Sequence, residues 1–189
     1  VYPSEVVALL GDNGAGKSTL IKCLSGVYQA DEGEITFEGK RAHFAGPMDA
    51  RREGIETIYQ DLALANNLDV GANIFLGREA KKSYFGGLVK TLDERLMLRE
   101  SAAALEALEI YFPSLTEPIE NLSGGQRQAV AIARAVYWDA RLMIMDEPTN
   151  NLGVPEQHKV LELIRTLRHR GVPVILITHT LPDVFAVAD

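Results

Sequence analysis

The chain has little cysteine, few aromatic side chains, no long apolar run and a deficit of positive charge. Its single cysteine, Cys23, excludes a framework of internal disulfide bonds. No apolar stretch approaches the roughly 18 residues that a membrane-spanning helix needs, and no signal peptide is visible. The chain has 19 lysine and arginine residues against 26 aspartate and glutamate residues, a net charge of −7. Such a balance argues against a nucleic-acid surface, which usually carries a basic excess.

The remaining composition is that of a soluble globular protein, with 47% hydrophobic and 24% charged residues. A length of 189 residues fits one domain, or one domain with a subdomain. Cys23 falls on the apolar side of a predicted helix, so we expect a buried, reduced thiol as in a cytosolic protein. Val1 leads almost directly into a strand and Asp189 falls inside a predicted helix, so we expect both ends to be cut from a longer chain.

A glycine-rich loop near the start of the chain fits the phosphate-binding pattern G-x-x-x-x-G-K-[ST]. Its residues are Gly11, Asp12, Asn13, Gly14, Ala15, Gly16, Lys17, Ser18 and Thr19. An apolar strand precedes the loop and a helix starting at Thr19 follows it. Backbone N–H groups in such a loop, together with the helix dipole, favour a bound anion. The flanking strand and helix disfavour the alternative, a glycine-rich turn with an ordinary surface lysine.

Within this loop, each residue type has a predicted task. Gly14 and Gly16 let the backbone approach a phosphate group without an intervening Cβ. Lys17 would reach the β- and γ-phosphate oxygens, and the Ser18 hydroxyl would be a ligand of Mg²⁺.

Acidic residues follow a second buried strand, predicted at residues 142–145. In a parallel sheet, ligands bind at the carboxyl ends of the strands, so Asp146 and Glu147 should lie at the edge that carries the glycine loop. We expect Asp146 to bind Mg²⁺ through water and Glu147 to act as general base for an attacking water molecule. The alternative is a pair of ordinary turn residues, which the upstream loop disfavours.

Two further segments complete the predicted site. Ser123, Gly124, Gly125 and Gln126 have the spacing of a helix capping box, and their glycines would leave the helix N-terminus open to a second phosphate group. A capped helix with no further role is the alternative. His179 follows the strand predicted at residues 172–177, where it could donate a hydrogen bond to a γ-phosphate.

The strand and helix pattern predicts an α/β fold with a mostly parallel sheet covered on both sides. A small antiparallel region is expected near residues 35–44. The sequence predicts mainly helical structure at residues 62–136, with helices at 70–76, 92–108 and 124–137. The Gly86-Gly87 pair divides this region in two. We interpret it as a helical subdomain inserted into the α/β core.

Taken in the order in which they occur along the chain, these motifs resemble those of the ATP-binding cassette family, the ATPase subunits of ABC transporters. The resemblance covers nearly the whole chain, and its most specific element is the signature at residues 122–126. It implies a single nucleotide-binding domain with a phosphate-loop NTPase core at about 1–60 and 138–189 and a helical subdomain at about 61–137. Gln60 corresponds to the family's Q-loop, and His179 to its switch histidine.

The resemblance also implies a mechanism and a complete set of site residues. Two copies, or two tandem domains, pair head to tail and hold ATP between the glycine loop of one and the signature helix of the other. Hydrolysis then reopens the pair. The implied roles are catalytic for Lys17, Glu147 and His179; nucleotide binding for residues 11–19, Gln60, Ser123, Gly124, Gly125 and Gln126; and Mg²⁺ binding for Ser18, Gln60 and Asp146.

Narrower features resemble the bacterial importers of ribose, fructose and xylose, namely residues 11–17, 54–62 and 147–154. The implied partners are transmembrane permease subunits and, indirectly, a periplasmic sugar-binding protein, with no nucleic acid. The implied location is peripheral, on the cytoplasmic face of the inner membrane. One departure from the family pattern concerns the segment that corresponds to the family's D-loop, residues 150–153, where Gly153 stands in place of the usual aspartate. Asn150 or Asn151 could replace the contact that this aspartate makes across the dimer.

Two other readings remain open at this point. A soluble ABC protein acting on ribosomes or nucleic acid would usually have two cassettes joined by a basic linker. An unrelated phosphate-loop enzyme is the other alternative. A GTPase should carry an Asn-Lys-x-Asp motif, which the sequence lacks, and a kinase has no need of residues 122–126.

Overall fold

A computed structural model describes residues 1–12, 14–84 and 89–189. Asn13 and the Gly86-Gly87 pair therefore lie outside the described residues. The chain divides into two compact units, of which the first comprises residues 1–60, 139–150 and 164–189 and the second residues 61–138 and 151–163. The second unit thus contains residues 151–163 in addition to the segment predicted as a subdomain.

Strands and helices alternate along much of the chain. The strands are β1 (Val6–Leu9), β2 (Ile35–Phe37), β3 (Lys40–Ala42), β4 (Ile55–Ile58), β5 (Lys81–Tyr84), β6 (Val89–Leu92), β7 (Leu142–Asp146) and β8 (Val174–Ile177). The helices are α1 (Lys17–Leu24), α2 (Pro47–Arg52), α3 (Val70–Ile74), α4 (Glu94–Ala107), α5 (Gly124–Tyr137), α6 (Val154–His169) and α7 (Leu181–Val187), with a 3₁₀ turn at Ile119–Asn121. Among the described helices, none has the length and apolar composition of a membrane span.

The first unit is built on a parallel sheet of four strands in the order β1-β8-β7-β4. Every residue of β8 is buried, as are the first four of β7, which explains their continuous apolar sequences. Ile21 of α1 and Phe44 pack with these strands in one hydrophobic cluster. Strands β2 and β3 form a separate antiparallel pair. The predicted α/β fold with a mostly parallel sheet and a small antiparallel region is confirmed.

One prediction for this unit is wrong, since Cys23 is only partly buried. Ile21 is the buried residue of α1, so this short helix presents a narrow apolar face to the core. Cys23 instead lines a surface groove with Thr19 and Tyr28.

In the second unit, helices α3, α4 and α5 pack on one another. The rings of Phe75, Tyr137 and Trp138 form a cluster with centroid separations of 4.8–5.6 Å. The Trp138 indole also donates a hydrogen bond of 2.9 Å to the Ile74 carbonyl. Asn73 is fully buried, and its side chain bonds backbone groups of Ala65, Leu68 and Asp69, which orders the segment before α3.

The prediction of a mainly helical segment at residues 62–136 is wrong for β5 and β6, which form an antiparallel pair. These strands are short and mostly exposed, so their sequences lack the alternating apolar pattern that would predict a strand. Helix α4 begins at Glu94 because the Asp93 side chain caps it, accepting a hydrogen bond of 3.0 Å from the Leu96 N–H. Lys82 of β5 lies 2.8 Å from the same carboxylate.

Ser101 of α4 is fully buried, and its hydroxyl has no hydrogen-bond partner within the described part of the chain. Replacing Ser101 with alanine removes a buried polar group and improves helix propensity. We therefore expect the free energy of unfolding to rise by about 1 kcal/mol, measured by urea denaturation. A lower urea midpoint for Ser101→Ala would contradict this prediction, because it would mean that the hydroxyl stabilises the fold.

Candidate functional site

A cleft of about 790 Å³ opens beside the glycine loop, and all of its lining residues belong to the first unit. They come from the loop and from residues at, or just after, the carboxyl ends of β4, β7 and β8, as the topology of a parallel sheet dictates. The lining comprises Gly11, Asp12, Gly14, Ala15, Gly16, Lys17, Ser18, Thr19, Gln60, Asp146, Glu147, Asn150 and His179.

The glycine loop is shaped to expose backbone N–H groups. Gly14 and Gly16 have φ angles of +86° and +89°, which favour glycine over other residues. Gly16 is also the N-cap of α1, and no side chain among the described residues caps the helix there. The first N–H groups of α1 are therefore available to an anion. The helix begins at Lys17, two residues earlier than predicted.

Lys17 lies across the loop, and its ammonium group bonds the loop's own carbonyls. Its Nζ donates to the Gly11 oxygen at 2.6 Å and to the Asp12 oxygen at 2.9 Å. Neutral carbonyls are weaker acceptors for an ammonium ion than phosphate oxygens are. Lys17 can therefore exchange these bonds for bonds to a phosphate group.

Two adjacent carboxylates stand at the end of β7. Burial raises the pKa of the Asp146 carboxyl, the neighbouring charge of Glu147 raises it further, and Lys17 acts in the opposite direction. A cation in the cleft would relieve this cost of ionisation. Glu147 has a φ of +49°, a left-handed conformation that is uncommon for a residue with a side chain and that occurs preferentially at functional sites.

Both oxygens of the Glu147 carboxylate have partners within the first unit. Its Oε1 lies 2.9 Å from Nδ1 of His179, and its Oε2 accepts a hydrogen bond of 2.9 Å from Nδ2 of Asn150. His179 is 62% exposed, so its ring also faces the cleft opening. The sheet thus brings the two predicted catalytic side chains into direct contact.

Gln60 lies in the same cleft, two residues after β4 ends. The preceding residue, Tyr59, is anchored by a hydrogen bond of 3.0 Å between its hydroxyl and that of Ser25 at the end of α1. Three oxygen-bearing groups thus line the cleft: the hydroxyl of Ser18, the carboxylate of Asp146 and the amide of Gln60. Oxygen ligands of this kind suit Mg²⁺, which usually takes one or two protein groups together with phosphate oxygens.

The signature residues lie in the second unit, at the start of α5. The predicted capping box is present: Ser123 Oγ accepts from the Gln126 N–H at 3.3 Å, and Gln126 Oε1 accepts from the Ser123 N–H at 2.8 Å. The glycines, however, do more than leave the helix end open. A Cβ on Gly125 would lie 2.8 Å from Cγ of Glu156, so this glycine admits the start of α6 against α5.

One buried contact near the site was missed by the sequence analysis. Thr149 and Asp183 are each 4% exposed, and the Thr149 hydroxyl donates a hydrogen bond of 2.5 Å to Asp183 Oδ2. The bond joins the turn after Glu147 to helix α7, which follows His179. The sequence shows that Asp183 falls near the start of a helix, where acidic residues are common, but it does not show that Asp183 is buried. No feature of the sequence therefore identified Asp183 as the partner of Thr149.

The fold and sequence of this chain are similar to those of known proteins. The family model described as ABC transporter matches residues 1–150. The xylose/arabinose import ATP-binding protein XylG of Sulfolobus acidocaldarius is 54% identical over 189 residues, which cover 73% of that protein. The fructose import ATP-binding protein FrcA of Rhizobium meliloti is 49% identical over 191 residues, which cover 74% of it.

A crystal structure of a nucleotide-free ATP-binding cassette from an ABC transporter superimposes on the whole chain with a TM-score of 0.84 at 27% identity, covering 76% of that structure. The family match, the relatives that align with the whole of this chain, and the fold all agree with the cleft described above. The chain belongs to the ABC transporter family and is one of its ATP-binding ATPase cassettes.

Proposed function

We propose that this chain is the ATP-binding and ATP-hydrolysing subunit of an importer that carries a sugar across a membrane. The observation that carries the proposal is the cleft in which the glycine loop, Asp146, Glu147 and His179 lie together. Sugar as the cargo is supported by the names of the relatives, which are xylose/arabinose and fructose import proteins. The alternative of an ABC protein that acts on ribosomes or nucleic acid has no support in these comparisons.

In this proposal, the triphosphate of ATP binds over the glycine loop and the N-terminus of α1. The exposed N–H groups supply hydrogen bonds, and Lys17 leaves the carbonyls of Gly11 and Asp12 to bind phosphate oxygens. Ser18, Gln60 and Asp146 would hold Mg²⁺, either directly or through water. When bound, this ion neutralises negative charge on the phosphate groups.

Hydrolysis requires a base for the attacking water and a donor for the transferred phosphate. Glu147 acts as the base, and its position at the end of β7 keeps it in the cleft. His179 donates its Nδ1–H to Glu147 and its Nε2–H to the γ-phosphate, so both ring nitrogens carry a proton in this step.

A second ABC ATPase domain, in a homodimer or a tandem copy, completes each site in this proposal. Ser123, Gly125 and Gln126 then contact the γ-phosphate of ATP held by the partner, from the N-terminus of α5. Gln60 and the segment at 62–80 transmit closure of the dimer to transmembrane permease subunits. The chain is accordingly placed on the cytoplasmic face of the membrane, with a periplasmic sugar-binding protein as an indirect partner.

The decisive experiment measures ATP hydrolysis as a function of protein concentration for the wild type and for Glu147→Gln. We expect the rate per chain to rise with concentration, because each site needs two chains. Glu147→Gln should lower the rate by at least a hundredfold, since the amide cannot accept the proton. With ATP and Mg²⁺, this variant should also elute as a dimer from a sizing column.

As a matched control we suggest Glu106→Gln, which removes the same charge from an exposed side chain of α4 that lies outside the cleft lining. A rate that does not depend on concentration and is insensitive to Glu147→Gln would refute the proposed mechanism. Equal losses of activity for the two variants would instead point to the net charge of the protein as the cause.

A further inference from the structure

We propose that Asn150 is a positioning residue for ATP hydrolysis, holding the carboxylate of Glu147 in the orientation in which it accepts a proton from water. This inference rests on the proposed function, because it assumes that Glu147 is the base. It goes beyond the expected role of the D-loop, which concerns contacts across the dimer.

The geometry of Glu147 carries the inference. Nδ2 of Asn150 donates to Oε2 at 2.9 Å, while the other oxygen, Oε1, faces His179 at the same distance. A carboxylate bonded at one oxygen alone can still rotate about its last side-chain torsion, which has a broad energy minimum. Bonds at both oxygens fix the plane of the carboxylate and therefore the direction of its free lone pairs.

Asn150 itself is held by the turn that contains Glu147. The Asn150 N–H donates to the Glu147 carbonyl at 3.1 Å, and Glu147 has the left-handed φ described above. Between them, Thr149 is anchored to the buried Asp183. The side chain of Asn150 therefore returns to its own chain, and one N–H of its amide is used within the cleft.

The chemistry of an amide suits this task. It donates a hydrogen bond without bringing a charge, so it orients Glu147 and does not compete for the proton. A carboxylate in its place would put a second negative charge at hydrogen-bond distance from Glu147 and would repel it. An apolar side chain of similar volume would leave Oε2 without its bond, and the carboxylate would rotate.

These differences define a set of variants. Asn150→Leu removes the donor, Asn150→Asp keeps the shape but reverses the interaction, and Asn150→Ser keeps a donor on a shorter arm. We expect kcat for ATP hydrolysis to fall about tenfold to a hundredfold in the first two, since misplacing a catalytic group costs on this order. Asn150→Ser should recover part of the loss. KM for ATP should stay within about twofold, because Asn150 is not expected to bind phosphate.

Gln29→Glu controls for the added negative charge of Asn150→Asp, because Gln29 is exposed and does not line the cleft. Thermal unfolding shows whether each variant is folded. If Asn150→Leu does not fold, Asn150→Asp still tests the inference. The inference is overturned if folded Asn150→Leu and Asn150→Asp keep the wild-type kcat, if KM rather than kcat changes, or if serine recovers nothing. If wild type and Glu147→Gln hydrolyse ATP equally, the proposed function itself has failed, and this inference with it.

Discussion

Replacing Asp146 with asparagine is expected to raise the unfolding temperature of the nucleotide-free protein at neutral pH and to remove its stabilisation by Mg²⁺ and ATP. The pKa of Asp146 is raised by burial and by the charge of Glu147, so its ionised form lowers the stability of the empty protein. Asparagine has no such cost. It is also a weaker ligand for Mg²⁺ than a carboxylate, so binding of Mg²⁺ with ATP should weaken by about a hundredfold.

The pH dependence of this effect has a definite sign. Because the folded-state pKa of Asp146 is raised, its contribution to stability is fully present below its ordinary value of 3.8 and is lost as pH rises through the raised value. The difference in unfolding temperature between Asp146→Asn and wild type should therefore grow as pH rises from about 4 to 7. Thermal unfolding in a chelating buffer, at several pH values, measures it.

Glu147→Gln is the matched control, since it removes the same charge from the adjacent residue. Both variants relieve the repulsion between the two carboxylates, so both should stabilise the empty protein. Only Glu147→Gln should keep the stabilisation by Mg²⁺ and ATP, which for wild type is about 2.7 kcal/mol at a hundred times Kd. Two results would contradict the role of Asp146 as a buried carboxylate that binds Mg²⁺. One is an Asp146→Asn protein that is less stable than wild type when empty, and the other is an Asp146→Asn protein that ATP and Mg²⁺ still stabilise fully.

The location of this site could be predicted because its parts are local in sequence. The glycine loop has a fixed spacing, and Asp146, Glu147 and His179 each follow a short apolar strand. Because the carboxyl ends of parallel strands meet at one edge of a sheet, a prediction of strands was enough to place these residues in one cleft. The capping box at Ser123 is equally local, since it joins residues three positions apart.

Features that depend on distant packing could not be predicted. Strands β5 and β6 are exposed, so they carry no apolar alternation that would separate them from a helical segment. The need for glycine at position 125 arises from Glu156, 31 positions further along the chain. The bond from Asn150 to Glu147 lies in a turn in which Glu147 has a left-handed backbone conformation, which the residue type Glu does not suggest.

Replacing Thr149 with valine is expected to lower both the free energy of unfolding and kcat. The change preserves shape but removes the hydroxyl that donates to Asp183, leaving a buried carboxylate without this hydrogen bond. Bonds to buried charged groups are costly to lose, so we expect a loss of about 3 kcal/mol in urea denaturation. Because the bond joins the turn at residues 147–150 to α7, kcat should also fall about tenfold as Glu147 and His179 lose their relative placement.

Two further variants serve as controls for Thr149→Val. Thr149→Ser keeps the hydroxyl and loses only a methyl group, so it should cost about 1 kcal/mol and preserve kcat. Adding Asp183→Leu to Thr149→Val removes the buried charge along with its missing partner, and this double variant should recover most of the lost stability. Recovery of stability without recovery of kcat would show that the bond also positions the catalytic residues. Equal costs for the valine and serine variants would contradict the prediction, because the hydroxyl would then contribute nothing.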